Sequence, residues 1–212
     1  MLLSLQRRLK PQPPQRCKPS GVNDKLSKIV KKISEKILFD GQWISLHEMV
    51  YQNKEGDSIR WEAVRRKKSK VGVVIVAKLI PSQRFVLIKQ FRPAVGGYIL
   101  GFPAGLADGN PDHALVELKE ETGFVGRIKS ISPVLKVGSS LIDDSGQIIY
   151  VEVDEHAPQN QNPKQKLEAA EDIEVCLVKK EDAQEFLLKQ QAKGMHISSN
   201  LWYLFGLSEM AT

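Results

Sequence analysis

Three glutamates share one arc of a short helix whose two ends are both marked in the sequence. Asn110 suits an N-cap, Pro111 the first helical position and Gly123 the left-handed position just past the end, which predicts a helix over residues 111–122. At about 100° per residue, Ala114, Leu115, Leu118 and Thr122 fall on one side and can pack on a core. Glu117, Glu120 and Glu121 fall within an arc of about 100° beside them. One flank of this helix must therefore be buried while the adjoining flank keeps its negative charges together. Like charges one turn apart cost roughly a few tenths of a kcal/mol, and more when partly buried. Glu120 and Glu121 also sit in the last turn, where the helix dipole disfavours them. Hard divalent cations with oxygen donors would offset the repulsion. The plain alternative is a solvated acidic face.

The residues that enter the helix favour the cation. Gly101-Phe-Pro-Ala-Gly105 combines two glycines with a proline, which permits a tight, irregular backbone whose carbonyls and amides can face a ligand.

Composition excludes several classes. An apolar share of 42% with 26% charged residues over 212 residues is ordinary for one globular domain. No apolar run approaches the length of a membrane span. Cys17, in a polar leader, and Cys176, in an apolar strand, make neither a disulfide framework nor a metal site and suit a reducing compartment, so the expected location is cytoplasmic. The net charge of +6 sits mostly in residues 1–36, where Arg7, Arg8, Lys10, Arg16 and Lys18 precede any acid. Without that leader the chain is close to neutral, and no aromatics are interleaved with its basic residues, which argues against nucleic-acid binding. The leader reads as a flexible tail, with an organelle-targeting peptide opening Met1-Leu-Leu-Ser-Leu5 as the alternative. The histidines show no metal-ligand spacing, and no nucleophilic serine or cysteine motif occurs.

Along the chain, residues 11–20 read as an extended linker and 25–36 as a short amphipathic helix or the lead-in to the first strand. Strands are expected at 37–46, 47–52 and 58–66, with a turn over 53–57. Residues 71–80 are an almost unbroken β-branched run, so a buried central strand, followed by a turn and a strand at 85–91. Later strands are expected over 126–137, 147–153 and 173–178, a polar mobile loop over 158–166, and closing helices over 181–193 and 199–209, the last capped by Ser198 or Ser199. Strands interspersed with three helices predict a mixed α/β sandwich.

The segment Glu117-Leu-Lys-Glu-Glu-Thr-Gly-Phe124 resembles the second half of the Nudix hydrolase signature. Lys89-Gln-Phe-Arg-Pro-Ala-Val-Gly-Gly-Tyr98 followed by Phe102-Pro-Ala-Gly-Leu106 resembles the ADP-ribose/ADP-sugar pyrophosphatase branch of that family. The resemblance covers about residues 36–210 and implies a Nudix-type α/β/α sandwich. It divides the chain into a leader (1–36), an N-terminal antiparallel strand region (37–66) that dimerises and stacks the base, and a catalytic domain (67–212). It implies Mg²⁺, with Mn²⁺ as the alternative, held by Glu117, Glu121 and the carbonyl of Ala104, with Glu120 as third ligand or orienting group. It implies Glu171 as the base on a late loop, with Glu168 as its rival. Arg92 would clamp phosphates, Trp43 and Trp61 would sandwich an adenine, and Arg66 and Leu106 would contact the substrate. Strict alternation places Trp61 and Arg66 on opposite strand faces, so one ligand served by both needs a bulge or a site shared in a homodimer.

The chain departs from the pattern in four places. Gly105 and Gly123 are 18 apart where the family has 21, the pattern's first glutamate falls at Asn110 or in the gap, Val116 replaces an arginine, and Gly138 replaces an aspartate of the ADP-sugar branch. The expected activity is hydrolysis of ADP-ribose or a related ADP-sugar to AMP and a sugar phosphate. The alternatives are a Nudix-fold protein that binds nucleotide without turnover, or a pyrophosphatase for another nucleoside diphosphate compound.

Overall fold

The computed structural model describes residues 31–67, 71–107 and 110–206. In chain order the elements are β1 (Lys31–Asp40), β2 (Ile44–Gln52), β3 (Ser58–Arg66), β4 (Val71–Ile80), β5 (Arg84–Arg92), β6 (Gly97–Gly101) and β7 (Ala104–Leu106). Helix α1 (His113–Thr122) follows, then β8 (Arg127–Ile131), β9 (Leu135–Val137), β10 (Asp144–Asp154) and β11 (Ile173–Lys179). The chain closes with α2 (Lys180–Ala192), β12 (His196–Ile197), the short α3 (Ser199–Leu201) and wide helical turns over Trp202–Gly206.

β1, β2 and β3 pair in that order, the first two joined by a tight turn in which Gly41 N–H donates to the Ile44 carbonyl. The second turn is built on Asn53, whose Oδ1 accepts from the backbone N–H groups of Glu55 and Asp57, the usual reason asparagine starts a turn. Residues 31–36 with 48–62 form one compact unit, and residues 37–47 with the rest of the described chain form the other.

The second unit is organised by β4. Its residues alternate between two hydrophobic clusters: Val73, Ile75, Ala77 and Leu79 face one, and Val74 and Val76 face the other. A strand covered on both faces must be apolar at nearly every position, which is why residues 71–80 read as an unbroken run. On the first face Ala114 and Leu118 of α1 complete the core with Phe124 and Ile149; burying a side chain such as Leu118 contributes about 2–3 kcal/mol. On the second face Ala183 and Leu187 of α2 pack with Leu201 and Phe205. The architecture is the expected α/β/α sandwich around a mixed sheet.

The sheet forks beside β4. β10 runs parallel to β4 from Ser145↔Val71 to Asp154↔Ile80. On the other side β4 meets β5 only at Lys78↔Phe85, next to their turn. Beyond that point β5 diverges from β4 to pair with β6, while β11 pairs with β5 from Arg84 to Gln90, and β7 pairs with β4 over residues 72–74. The glycine- and proline-containing stretch 101–105 lies in this fork, fastened by the Ile75 N–H to the Pro103 carbonyl at 2.8 Å.

Several expected boundaries are corrected. The first break in the N-terminal strands falls at 41–43 rather than between 46 and 47, because Gly41 turns the chain there. The segment 126–137 is two strands, interrupted at Ser132 and Pro133, where the Ser132 hydroxyl donates to the Pro133 carbonyl. Regular α-helix in the closing segment covers only Ser199–Leu201 before wider turns take over, and Ser198, at its N-cap, makes no side-chain cap bond. The polar loop 158–166 is anchored: Asn160, 5% exposed, bonds the backbone of Val125 and Asp154 through its amide. β1 begins at Lys31, inside the expected leader of 1–36, so residues 31–36 are strand rather than helix or tail, while residues 1–30 and the end of the predicted last helix lie outside the described residues. No helix among the described residues is long and apolar enough to cross a membrane.

Candidate active site

Helix α1 starts at His113, two residues later than predicted. Asn110 does not cap it directly; its Oδ1 accepts from the Asp112 N–H at 3.0 Å, forming a turn that spends Pro111 and Asp112 before the helix begins. The other end is as expected: Gly123 is left-handed at φ 77°, with its N–H on the Lys119 carbonyl.

Two glutamates one turn apart reach from this helix to β7. The Glu121 carboxylate is 2% exposed and accepts the Ala104 N–H at 3.0 Å. Glu117 lies flat on Gly105, where an added Cβ would stand 2.2 Å from its carboxyl carbon, so only glycine leaves it room. The pairing of β7 explains the orientation of Ala104. Val73↔Gly105 and Val74↔Ala104 are successive partners, and residues of an antiparallel ladder alternate between bonding toward and away from the neighbour. Since the Ala104 N–H points away from β4 to Glu121, its carbonyl points to the same open side.

Negative charge accumulates here. Burial first, then the charges of Glu120, Glu171 and Glu168, raises the Glu117 carboxyl above the ordinary range, with His113 working weakly against them. Burial pushes Glu121 up to about 8; the Ala104 N–H opposes that, while Glu117 and Glu171 add to it and Arg92 subtracts. Among the described residues no group of three or more His, Cys, Asp or Glu side chains is arranged as a metal cage. The available set is two carboxylates and a backbone carbonyl, all hard oxygen donors with unoffset charge, and that set fits a hard divalent cation.

Glu168 and Glu171 sit in a tight turn just before β11. The Glu168 N–H donates to Glu171 Oε2 at 2.9 Å, and the Glu171 N–H to the Glu168 carbonyl at 3.0 Å. Both charges are felt by Glu117, and that of Glu171 also raises Glu121. Arg92 ends β5 on the same side, close enough to act on Glu121, and lines a cavity with Ala104.

An uncharacterized Nudix hydrolase of Schizosaccharomyces pombe is 33% identical over 171 residues, covering 76% of this chain and 83% of that protein. The ADP-ribose pyrophosphatase of Saccharomyces cerevisiae is 32% identical over 186 residues, covering 82% and 80%. The chain belongs to the Nudix hydrolase family. A crystal structure of an ADP compounds hydrolase superposes at a TM-score of 0.57 with 18% identity, over 78% of this chain and 95% of that one, so the fold is shared well beyond the reach of sequence. No family model matches the chain.

The remaining expected residues lie on other elements. Leu106 is exposed on β7, and Trp43 is 63% exposed just ahead of β2. Arg66 holds Asp144 at 3.0 Å, so its guanidinium is already engaged in an ion pair. Trp61, in the other unit, is exposed on β3. Val116 is exposed on α1. Gly138 is left-handed at φ 67°, in a turn that a side chain would strain.

Sequence reasoning missed the loop that holds the Nudix helix in place. Gln165 Nε2 donates to the Glu121 carbonyl at 2.6 Å and to the Ile173 carbonyl at 3.1 Å, and the Lys166 N–H bonds the Glu120 carbonyl at 2.8 Å. The loop presses so close that a Cβ on Gly123 would stand 2.3 Å from the Lys164 nitrogen. These bonds satisfy helix-end carbonyls that would otherwise face nothing. The signal was faint: a glutamine in a polar loop looks like any solvated side chain.

Proposed function

We propose that this chain hydrolyses the diphosphate of ADP-ribose or a related ADP-sugar to AMP and a sugar phosphate, with Mg²⁺ as its metal and Mn²⁺ as the alternative. The observation that carries the reading is the pair Glu117 and Glu121 on either side of Gly105 and Ala104, both with raised carboxyl pKa. Such a pair, held together by the fold and short of positive charge, is what a cation beside a diphosphate would relieve. The yeast relative, whose name specifies ADP-ribose, supports the substrate class.

Glu117, Glu121 and the Ala104 carbonyl would hold the metal, with Glu120 as a third ligand or an orienting group. When bound, the ion neutralises diphosphate oxygens and polarises the phosphorus under attack. Arg92 holds the phosphate oxygens. Water's oxygen bonds to one phosphorus, its proton passes to Glu171, and the bridging oxygen leaves with the other phosphate. For this Glu171 turns out of its bond with the Glu168 N–H, a small loop movement. Trp43 and Trp61 stack the adenine, Leu106 lines the site, and Arg66 contacts substrate after exchanging its bond to Asp144. Residues 37–66 serve as the dimerisation and base-stacking region of a homodimer and 67–212 as the catalytic domain. The working compartment is the cytoplasm, and the leader is a tail or an organelle address.

A second reading has its own support. The missing arginine at Val116 and the shortened entry loop fit a nucleotide-binding protein without turnover. Incubation with ADP-ribose and Mg²⁺, following AMP by chromatography, separates the two. AMP that disappears in Glu117→Gln supports the hydrolase; thermal stabilisation by ADP-ribose with no AMP formed sinks it in favour of the binding protein.

A further inference from the structure

Strand β5 carries Ile88, Gln90 and Arg92 on one face. Arg92 reaches the site, but Gln90, one step inward, has no role in the chemistry above. It is 6% exposed, and its side-chain amide makes no hydrogen bond to any of the described residues. The residue is buried as a whole while its amide still meets the open space beside the strand, so what it meets there bears on function.

Gln90 opens into a cavity of 140 Å³ that lies between Arg92 and Ala104. Two more unbonded polar groups line it. The Ser198 hydroxyl makes no cap bond at the start of α3, and Asn200 Oδ1 is buried without a partner among the described residues. Ile99 and Phe102 supply the apolar part of the wall. Two amides and a hydroxyl, from β5 and from the start of α3, thus converge on one space with hydrogen-bonding capacity unused.

The chemistry of that lining selects its ligand. A phosphate would want cations, and the cavity itself offers only Arg92 at its edge. An apolar group would leave the amides stranded. A neutral hydroxyl group is both donor and acceptor, as the amides are, and satisfies them. At about 30 Å³ per water, the space takes four or five waters or a single small polyol ring in their place. It is too small for a nucleoside.

We propose that Gln90, Ser198 and Asn200 form the subsite for the hydroxyls of the sugar joined to the diphosphate, with Gln90 as the main specificity determinant. The inference rests on the reading that this site binds a nucleoside diphosphate sugar. It adds that the sugar, and not only the diphosphate, is read by hydrogen bonds from β5 and the chain's closing segment.

Binding tests it without relying on turnover. Dissociation constants for ADP-ribose and for ADP are measured by calorimetry with Ca²⁺ in place of Mg²⁺, so that the nucleotide is not consumed during the titration, for wild type, Gln90→Met and Asn200→Leu, with melting curves as a folding control. Wild type is expected to favour ADP-ribose, and each variant to cut that preference about fivefold or more while binding ADP as before. Asn200→Leu stands in should Gln90→Met fail to fold. Equal preference in wild type and folded variants overturns the subsite and leaves a water-filled cavity. Preference lost in the variants without any AMP release from wild type would keep the subsite and remove only the hydrolase reading. Failure of wild type to bind either nucleotide would remove both.

Discussion

The Glu121 carboxylate meets the Ala104 N–H at 3.0 Å inside the fork of the sheet, almost wholly shielded from water. A single neutral donor does not offset the loss of hydration that burial imposes on a charged carboxyl, and that imbalance has measurable consequences.

The first concerns pH. Burial lifts Glu121 from 4.5 to about 8 in the folded chain. A carboxyl whose pKa is raised by folding contributes stability below its unfolded value and loses it as pH climbs through the folded one. Metal-free protein should therefore melt higher at pH 5.5 than at pH 8.5, and Glu121→Gln should flatten the slope. A tenfold change in proton affinity corresponds to about 1.4 kcal/mol, so the effect is on the order of a few kcal/mol once the site relaxes around the charge. Calorimetry in EDTA decides it: a mutant with the wild-type pH slope would remove the assignment.

Gly105→Ala should separate activity from stability. The new Cβ would displace the Glu117 carboxyl, which stands 2.2 Å away at the end of a flexible side chain. Backbone cost is small, so Tm should hold within a few degrees, while the apparent Mg²⁺ requirement rises at least tenfold. An unchanged Mg²⁺ titration would show that Glu117 does not hold the ion.

Glu171→Gln and Glu168→Gln distinguish the two loop acids. Glu171 is among the leading charges acting on both Glu117 and Glu121, and Glu168 among those acting on Glu117. Loss of a general base lowers kcat by about 10²–10⁴, so that drop is expected for Glu171→Gln, with Glu168→Gln within a few-fold of wild type. The reverse pattern in initial rates would exchange their roles.

Asn160→Ala should destabilise the fold. Its amide bonds Val125 through both backbone groups and the Asp154 carbonyl as well. Removing it strands buried backbone groups, at about 2–4 kcal/mol. Urea unfolding monitored by circular dichroism measures this; a loss below about 0.5 kcal/mol would mean that water replaces the amide without penalty.

Much of the architecture follows from local pattern alone. The run 71–80 had to be a strand covered on both faces because no face of it is polar, and α2 and α1 were legible from their periodicity and stops. Gly123 announced its left-handed turn because a side chain there is costly. The start of α1 was misplaced because Asn110 can as readily close a turn as cap a helix, and only the chain's path into the fork chooses between them. A helical wheel ranks Glu117, Glu120 and Glu121 as neighbours of equal standing. Their difference arises across the fold, where β7 offers Ala104 N–H to one and the bare backbone of Gly105 to another. Gln165 on the helix end and Gln90 in its cavity are likewise tertiary facts: a glutamine's meaning is set by what stands opposite it, and here those partners lie far along the chain. Sequence by itself determined the central strand, the two main helices and where acid accumulates, since these depend on near neighbours. Which of those acids is buried, and what faces it, was decided by the fork in the sheet, because only packing brings residues 104 and 121 together.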